Sequence, residues 1–462
     1  MRALTDLGNA ERLDDRFGLL LRYCHPQRAW YHYDGQRWTR DQVGIVNEYA
    51  QETVREIYAQ ATDISDFDDR KKALAWGIQS ESASRIRAMI ELARSVPGMP
   101  VLPDEFDRDP WLLNCPNGTV DLRDGRLRPH TRDDMLTAFC PTIFDPSAKA
   151  PRWEQFIREV TDGDDDLARF VLRYFGYCLT GTTREQIFPI LWGPGANGKS
   201  VFLDTIKAVL GTDYAVDAAP DLFTLSKSKQ HPTELADLRG RRLVVASETE
   251  EDAVLRLQLV KRLSGDARIK ARFMYGDFFE FDRTHKSILV TNSKPLISED
   301  TEAVWRRIRL VPFTATIPPE RRDPRLLERL RAEAPGILAS LVRGCLDWQR
   351  EGLGSAKVVE AASAQYRART IRDDRGSIAR FVEGHCERDD DAFTLSEDLR
   401  ERFEAAGFPT LTAKDFGIAL KALGFQPDRR RDGRGFRGLR LRSGTDDLGA
   451  ESPQEGGFPC PI

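Results

Sequence analysis

The octapeptide from Gly193 to Ser200, GPGANGKS, has residue types at a spacing that could bind phosphate. It fits the pattern G-x-x-x-x-G-K-[ST], in which glycines let successive backbone N–H groups turn toward an anion. The lysine would contact the β- and γ-phosphates of a nucleoside triphosphate, and the serine hydroxyl would bind Mg²⁺. We predict that ATP and Mg²⁺ bind here, with Lys199 as the catalytic cation, through the following residues: Gly193, Pro194, Gly195, Ala196, Asn197, Gly198, Lys199, Ser200 and Val201.

A carboxylate follows the next apolar segment, LVVAS, at Glu248. An acid at the end of a buried strand could polarise an attacking water or hold Mg²⁺ beside the phosphates. We predict both roles for Glu248, with Ser200 as the other metal ligand. Glu250 and Glu251 lie close by, so the sequence leaves open which acid handles the metal. The alternative is an exposed acidic loop.

Polar side chains also follow a third apolar segment and a short helix after it. Asn292 ends the segment SILVTN, where its amide could orient a water against the γ-phosphate. Arg306 and Arg307 follow the segment EAVW, and either could stabilise the transition state on a neighbouring subunit's γ-phosphate. The alternatives are an ordinary strand end for Asn292 and a surface salt-bridged pair for the arginines.

A β-hairpin is predicted between the acidic segment and Asn292. Residues 269–275 alternate apolar side chains with Lys270 and Arg272, Gly276-Asp277 suits a tight turn, and residues 278–281 return. Cations contact phosphates, and an aromatic ring stacks on any base without reading its identity. We therefore predict that Lys270, Arg272 and Tyr275 bind DNA. An ordinary hairpin with solvated charges is the alternative.

The elements that position these side chains alternate between apolar strands and helices. Short apolar runs at 187–192, 243–246 and 287–291 are separated by helical patterns, which favours an α/β domain with a largely parallel sheet. The helix after Gly198 ends at Gly211, a common helix stop. Pro189 lies inside the first run, so we expect a bulge or a nearby sheet edge at that point.

The remaining sequence predicts an N-terminal and a C-terminal domain. Residues 1–150 mix helical patterns (Ala50–Ala61 and Lys72–Ala93) with a hairpin at Ala29–Arg40, which favours an α+β domain. Residues 151–352 hold the phosphate-binding motif, and 353–376 form a polar helix or linker. Residues 377–442 contain three short helical patterns and a basic strand-like segment, the order of a winged-helix-like domain. Residues 443–462 predict a disordered tail.

Five motifs taken together resemble those of the superfamily 3 helicases. They are GPGANGKS, LVVASETEE, KRLSGDARIKARFMYGDFFEF, ILVTNSKP and EAVWRRI. The sequence is most similar to the C-terminal helicase part of phage and plasmid primase–helicases, a family related to the poxvirus primase–helicase. The resemblance covers roughly Leu4 to Arg442 and is strongest from Trp153 to Gln349.

This resemblance implies an AAA+-like P-loop ATPase core, a hexameric ring and 3′ to 5′ movement along one DNA strand. Lys199 and Ser200 match the first motif, and Glu248 matches the second. Asn292 matches the sensor, and Arg306 or Arg307 matches the arginine finger. Many relatives carry two adjacent acids at the second motif, whereas Ser247 precedes Glu248 in this chain.

Composition limits the classes of protein that the sequence can encode. The chain has 462 residues with 73 acidic and 69 basic side chains, so any DNA contact must come from local basic clusters. The seven cysteines form no C-x-x-C pair, which argues against a zinc ribbon or a disulfide framework. Without a signal peptide or a long apolar run, the sequence predicts a cytoplasmic protein with no membrane contact.

We therefore predict an ATP-dependent DNA helicase of phage or plasmid replication that translocates on single-stranded DNA and unwinds forks. Its expected partners are copies of itself, single-stranded and forked DNA, and a primase or other replication proteins. Because the chain begins close to the helices before the motor, we expect no primer synthesis. Two alternatives stay open: an ATP-gated protein that binds or loads at an origin with little unwinding, and a P-loop ATPase that acts on protein.

Overall fold

The computed structural model describes residues 2–219, 222–224, 233–247, 253–273, 276–297, 301–354, 356–372, 374–408 and 411–442. In these ranges, no helix combines the length and the apolar character needed to cross a membrane. The six cysteines within them are buried, and their thiols are free of disulfide bonds. The same ranges hold no group of three or more side chains suited to binding a metal ion.

The N-terminal part consists of helices and two small antiparallel sheets, β1-β2-β3 and β4-β5-β6. The predicted hairpin at Ala29–Arg40 is confirmed, and the helical pattern at Lys72–Ala93 divides into two helices at Glu81 and Ser82. The elements are α1 (Asp6–Phe17), β1 (Leu21–Cys24), β2 (Ala29–Tyr33), β3 (Trp38–Arg40), α2 (Ile45–Thr62), α3 (Phe67–Ser80), α4 (Ala83–Ala93), β4 (Leu112–Cys115), β5 (Gly118–Asp121) and β6 (Arg126–Arg128).

The central part contains a five-stranded sheet in the order β13-β7-β12-β9-β8, and every neighbouring pair is parallel. The predicted α/β class with a parallel sheet is therefore confirmed. The elements are α5 (Pro151–Val160), α6 (Asp165–Cys178), β7 (Phe188–Trp192), α7 (Lys199–Leu210), β8 (Ala215–Ala218), α8 (Thr233–Ala236), β9 (Leu243–Ser247), α9 (Leu257–Gly265), β10 (Arg268–Arg272), β11 (Phe278–Asp282), β12 (Lys286–Thr291), α10 (Glu302–Trp305), β13 (Ile308–Pro312), α11 (Leu326–Ala332), α12 (Ala334–Glu351) and α13 (Lys357–Arg372).

Both faces of this sheet are covered, which explains why its strands are continuously apolar. Val245 and Val290 pack toward one core with α5, α6, α7 and α12. Val244 and Leu289 face a second core that includes α9 and the β10–β11 hairpin. Side chains along a β-strand point alternately to the two faces of the sheet, so successive residues of these strands enter different cores.

Pro189 lies in β7, the second strand of the sheet, next to the edge strand β13, and its pairing with Arg309 of β13 continues without a bulge. The Phe188 N–H donates to the Arg307 carbonyl, on the β13 side, at 2.7 Å. By alternation the Pro189 nitrogen faces β12, but pairing with β12 begins only at Ile190. The sheet therefore loses no ladder hydrogen bond at the proline.

Two buried cations satisfy carbonyl groups at the C-terminal end of α6. The Arg242 guanidinium donates to the Leu179 carbonyl, and the Lys286 ammonium donates to the Thr180 carbonyl. Burial lowers the pKa of Lys286 to about 7. The negative end of a helix dipole favours cations at this position, which accounts for two charged residues inside the fold.

The C-terminal part has three helices around a three-stranded antiparallel sheet in the order β14-β16-β15. The three helical patterns are confirmed as helices, and the basic segment forms a hairpin, but strand β14 was not predicted. The elements are α14 (Asp374–His385), β14 (Cys386–Leu395), α15 (Ser396–Ala405), α16 (Ala413–Ala422), β15 (Gln426–Arg430) and β16 (Gly433–Leu441). Val254 and Leu296 of the central part share this unit's core.

Candidate functional site

The loop from Gly193 to Ser200 joins the carboxyl end of β7 to the start of α7. Lys199 and Ser200 are the first residues of the helix, and Val201 follows in its first turn. Pro194, Gly195 and Ala196 are exposed, and a Cβ placed on Gly195 would meet no atom within 4 Å. The outer surface of the loop is therefore open to a ligand at the positive end of the helix dipole.

The inner surface of the same loop is closely packed. A Cβ on Gly193 would lie 1.9 Å from the Phe313 carbonyl oxygen, and one on Gly198 would lie 2.6 Å from a Val160 methyl group. Gly198 also has a φ of +84°, which favours glycine. The motif glycines at these two positions are thus required by packing and backbone conformation.

Lys199 is the buried centre of the site. Its ammonium donates to the Gly193 carbonyl at 2.6 Å, to Asn197 Oδ1 at 3.1 Å and to Asn292 Oδ1 at 3.2 Å. Its side chain is only 5% exposed, and burial lowers its pKa to about 8. The structure thus brings together Lys199 and Asn292, which the sequence placed separately after two neighbouring parallel strands.

Asn197 anchors the loop, a role that the sequence interpretation missed. Its side-chain amide donates to the Phe313 carbonyl at 2.7 Å, while its oxygen accepts from Lys199. The Ile317 N–H also donates to the Ala196 carbonyl at 3.2 Å. Both partners follow β13, which was not predicted as a strand, so the sequence offered no signal for this contact.

The acidic side of the site is only partly described. Strand β9 ends at Ser247, whose partner on β12 is Val290, so the two carboxyl ends lie side by side. Glu248, Glu250 and Glu251 lie outside the described residues, and their roles stay predictions. Ser200 is exposed in the first turn of α7.

Arg306 and Arg307 lie at the opposite edge of the sheet from Lys199. They precede β13, whose first residue, Ile308, pairs with the first residue of β7. Arg306 is exposed, whereas Arg307 is half-buried and donates to the Ala303 carbonyl at 2.6 Å. About 13 Å of strand separates this edge from the loop, so neither arginine can reach the phosphate loop of its own chain.

The predicted hairpin is confirmed as β10 paired with β11. Ile269, Ala271 and Phe281 are buried on its inner face, and Lys270 and Arg272 are exposed on the outer face. Each of these two cations lies 5.2 Å from the centre of the Phe278 ring, which is 56% exposed. Tyr275 lies outside the described residues.

Phe273 and Phe278 are exposed aromatic residues near the turn that the sequence interpretation did not nominate. Phe273 is 50% exposed and stacks on Phe279 at 4.9 Å. The sequence could have indicated these two rings by their position beside the turn, outside the alternating apolar residues of β10. The hairpin therefore presents two exposed rings together with Lys270 and Arg272, beside the ion-paired Arg268, on its described surface.

Comparison with known proteins adds family matches over two segments. The family described as D5 N terminal like matches residues 10–162, and a family of unknown function, DUF5906, matches residues 191–307. A solved structure described as the apo form of the NrS-1 C-terminal region is 10% identical, with a TM-score of 0.48, and covers 95% of this chain and 100% of its own.

Several viral proteins are similar in sequence over longer segments. A protein of Acanthamoeba polyphaga mimivirus named as a helicase is 24% identical over 378 residues, which are 73% of this chain and 39% of the viral protein. One of Invertebrate iridescent virus 6, also named as a helicase, is 25% identical over 260 residues, 53% and 26% of the respective chains.

A protein of African swine fever virus (isolate Tick/Malawi) is named as a primase. It is 20% identical over 296 residues, which are 60% of this chain and 31% of the viral protein. The matched segments thus span about a quarter to two fifths of these relatives. The D5 N terminal like match and the relatives named as helicases and primases show that this chain is similar to primase–helicases of the phage and viral type.

Proposed function

We propose that the protein is an ATP-dependent DNA helicase of superfamily 3 that acts in phage or plasmid replication. The observation that carries this proposal is the buried Lys199 ammonium, which bridges the glycine-rich loop and Asn292 at 3.2 Å. A cation held at the start of a helix, next to an amide on the neighbouring strand, is the arrangement that phosphoryl transfer needs. The core is AAA+-like in this proposal, and the C-terminal unit is winged-helix-like.

The residues present fit ATP and Mg²⁺. Pro194, Gly195 and Ala196 leave an open outer surface. Ala196 and Gly198 have positive φ angles, a backbone conformation found in loops whose N–H groups bind anions. Ser200 and Glu248 would hold Mg²⁺, which neutralises phosphate charge when bound. Lys199 would exchange its present acceptors for phosphate oxygens, and Asn292 would then orient the attacking water.

A ring of identical subunits accounts for the positions of the arginines. Because Arg306 lies at the edge of the sheet away from its own loop, it can contact only a triphosphate held by another subunit. A hexamer would place each Arg306 at a neighbour's site. In this proposal the β10–β11 hairpin faces the central opening and binds single-stranded DNA, and a primase or other replication proteins are further partners.

Strand displacement on a forked substrate tests this function. We expect ATP-dependent displacement, together with a hexameric mass in the presence of a non-hydrolysable nucleotide. ATP turnover without displacement, combined with retention on one duplex sequence, would favour the second candidate, an ATP-gated origin binder or loader. The local basic surface of the C-terminal unit is the observation behind that candidate.

The buried environment of Lys199 predicts a pH dependence of nucleotide binding. The ammonium has a pKa of about 8 in the free protein, and phosphate favours its charged form. ATP affinity should therefore be nearly constant below about pH 8 and fall by up to about tenfold per pH unit above it. Fluorescence titration with a labelled nucleotide measures this, and constant affinity up to about pH 10 would contradict it.

Lys270 and Arg272 are expected to matter for DNA rather than for basal hydrolysis. The Lys270→Ala, Arg272→Ala double variant should keep its ATPase activity without DNA but lose stimulation by single strands. A plot of the logarithm of the DNA-binding constant against the logarithm of the salt concentration should also become less steep. The loss of two phosphate contacts with a single strand should reduce its slope by about 1.4. Arg268→Ala is the matched control, because Arg268 lies on the same strand but pairs with Asp282 at 3.3 Å. Equal loss of basal and stimulated activity would contradict a role in DNA binding.

A further inference from the structure

Helix α13 contacts both the segment that follows Asn292 and the segment that carries Arg306. Its Tyr366 is 3% exposed and lies in the second core with α9 and β13. The Tyr366 hydroxyl donates to the Pro295 carbonyl, three residues after Asn292. The same ring meets the Trp305 ring edge to face, with 5.5 Å between the two centres, and Arg306 is the next residue. One buried side chain thus joins two segments that have different roles in the proposed function.

The segment from Asn292 to Pro295 is short and internally hydrogen-bonded. The Ser293 N–H donates to Thr291 Oγ1 at 3.1 Å, and the Thr291 hydroxyl donates to the Ser293 carbonyl at 2.6 Å. Only Lys294 separates Ser293 from Pro295. A displacement of Asn292 is therefore transmitted to the Pro295 carbonyl, because no long loop lies between them to absorb it.

The segment that carries Arg306 is attached to α13 at two further points. Arg367 pairs with Glu302, in the first turn of α10, at 3.1 Å. The Ser363 hydroxyl oxygen accepts the Leu310 N–H of β13 at 3.0 Å. Helix α13 therefore holds both α10 and β13, the two elements that flank Arg306.

We propose that Tyr366 is a positioning residue that couples the nucleotide site of one subunit to the arginine that the same subunit presents to its neighbour. This inference rests on the proposed function, in which Lys199 leaves Asn292 for phosphate oxygens when ATP binds. The released Asn292 segment shifts, and the Pro295 carbonyl and Tyr366 transmit the shift to α10 and so to Arg306. Occupancy of one site thereby raises turnover at the next, which is a coupling between two distinct sites.

The Tyr366→Phe variant tests the coupling because it removes the hydroxyl and keeps the ring that packs on Trp305. We expect it to bind a labelled nucleotide with wild-type affinity. Its maximal turnover should fall by about 2- to 30-fold, the range for one residue on a coupling path. The Hill coefficient of turnover against ATP concentration should fall from above 1 to about 1.

Tyr214→Phe is the matched control for the loss of a buried hydroxyl. Tyr214 is 1% exposed, and its hydroxyl donates to the Ala138 carbonyl at 3.4 Å, away from α10 and α13. Each of the two variants loses a buried hydrogen bond, so both should lower the melting temperature. Only Tyr366→Phe should change the turnover and the Hill coefficient.

Mixed rings show in which subunit Tyr366 acts. One partner carries Lys199→Ala and supplies only Arg306, and its Asn292 is released from Lys199 as it would be by ATP. The other partner carries Arg306→Ala and supplies only an intact nucleotide site. Tyr366→Phe added to the Lys199→Ala partner should lower the restored turnover by the same about 2- to 30-fold. Added to the Arg306→Ala partner, it should leave the restored turnover unchanged.

Four results would overturn this inference and leave the proposed function intact. Wild-type turnover could show no cooperativity, or Tyr366→Phe could keep the wild-type turnover and Hill coefficient. Tyr214→Phe could cause equal losses, which would assign the effect to stability. The added substitution could lower turnover only in the Arg306→Ala partner, which would limit Tyr366 to its own nucleotide site. Absence of ATP hydrolysis by the wild type, or wild-type turnover in Arg306→Ala, would instead contradict the proposed function.

Discussion

Replacement of Lys199 by alanine should reduce ATP turnover by at least about 10²- to 10³-fold, the usual cost of losing one aimed charge at a reacting centre. Lys199 is the buried cation that lies within hydrogen-bond distance of both the loop and Asn292. Its side-chain partners Asn197 and Asn292 are neutral, so neither can supply the lost charge. Steady-state hydrolysis measured with saturating ATP reports this loss.

The fold of the Lys199→Ala variant should survive. Asn197 keeps its bond to the Phe313 carbonyl, so the loop stays attached to the segment after β13. The variant also avoids burying an ammonium group whose pKa is already lowered by desolvation. We therefore expect circular dichroism and the melting temperature to stay close to those of the wild type.

Lys207→Ala is the matched control for this experiment. Lys207 lies on the same helix, and its ammonium pairs with Asp204 at 3.0 Å and Asp217 at 2.8 Å. Removal of a partly exposed ion pair costs about 0.2–1 kcal/mol and should leave turnover unchanged. Wild-type turnover in Lys199→Ala, or equal losses in the two variants, would remove the claim that a triphosphate binds at this loop.

Local sequence patterns predicted the elements around Lys199 because each has a short-range signal. The motif from Gly193 to Ser200 specifies a loop between a strand and a helix, and the apolar runs before Glu248 and Asn292 are long enough to indicate buried strands. Strands of one parallel sheet end at the same edge. The proximity of Lys199 and Asn292 therefore followed from sequence, although the order of the strands did not.

The elements that were not predicted have weak local signals. Strand β8 is only four residues long, and β13 contains Arg309 and ends at Pro312. Helix α13 lies in a segment predicted as a polar helix or linker, yet Val359 and Tyr366 are buried and Tyr366 donates to the Pro295 carbonyl. Such contacts depend on which elements become neighbours in three dimensions, which a one-dimensional pattern does not encode.

Arg306→Ala should reduce turnover by about 10³- to 10⁵-fold if the arginine contacts the γ-phosphate of a neighbouring subunit. The structure shows different environments for Arg306 and Arg307, so the Arg307→Ala variant is the matched control. Arg306 is exposed and free to extend, whereas Arg307 is held by the Ala303 carbonyl. Arg307→Ala should therefore lower the free energy of unfolding, by about 1.5–3 kcal/mol for a charged hydrogen bond, and change turnover little.

Complementation between two inactive variants shows whether Arg306 acts across a subunit boundary. Arg306→Ala subunits keep Lys199, and Lys199→Ala subunits keep Arg306, so a mixed ring contains interfaces that have both groups. Random mixing in equal amounts should restore about one quarter of wild-type turnover. In that fraction of the interfaces, a subunit that keeps Lys199 lies beside a neighbour that supplies Arg306. If subunits exchange, as shown by tagged copies that co-purify, and no activity returns, then Arg306 does not complete a neighbour's site.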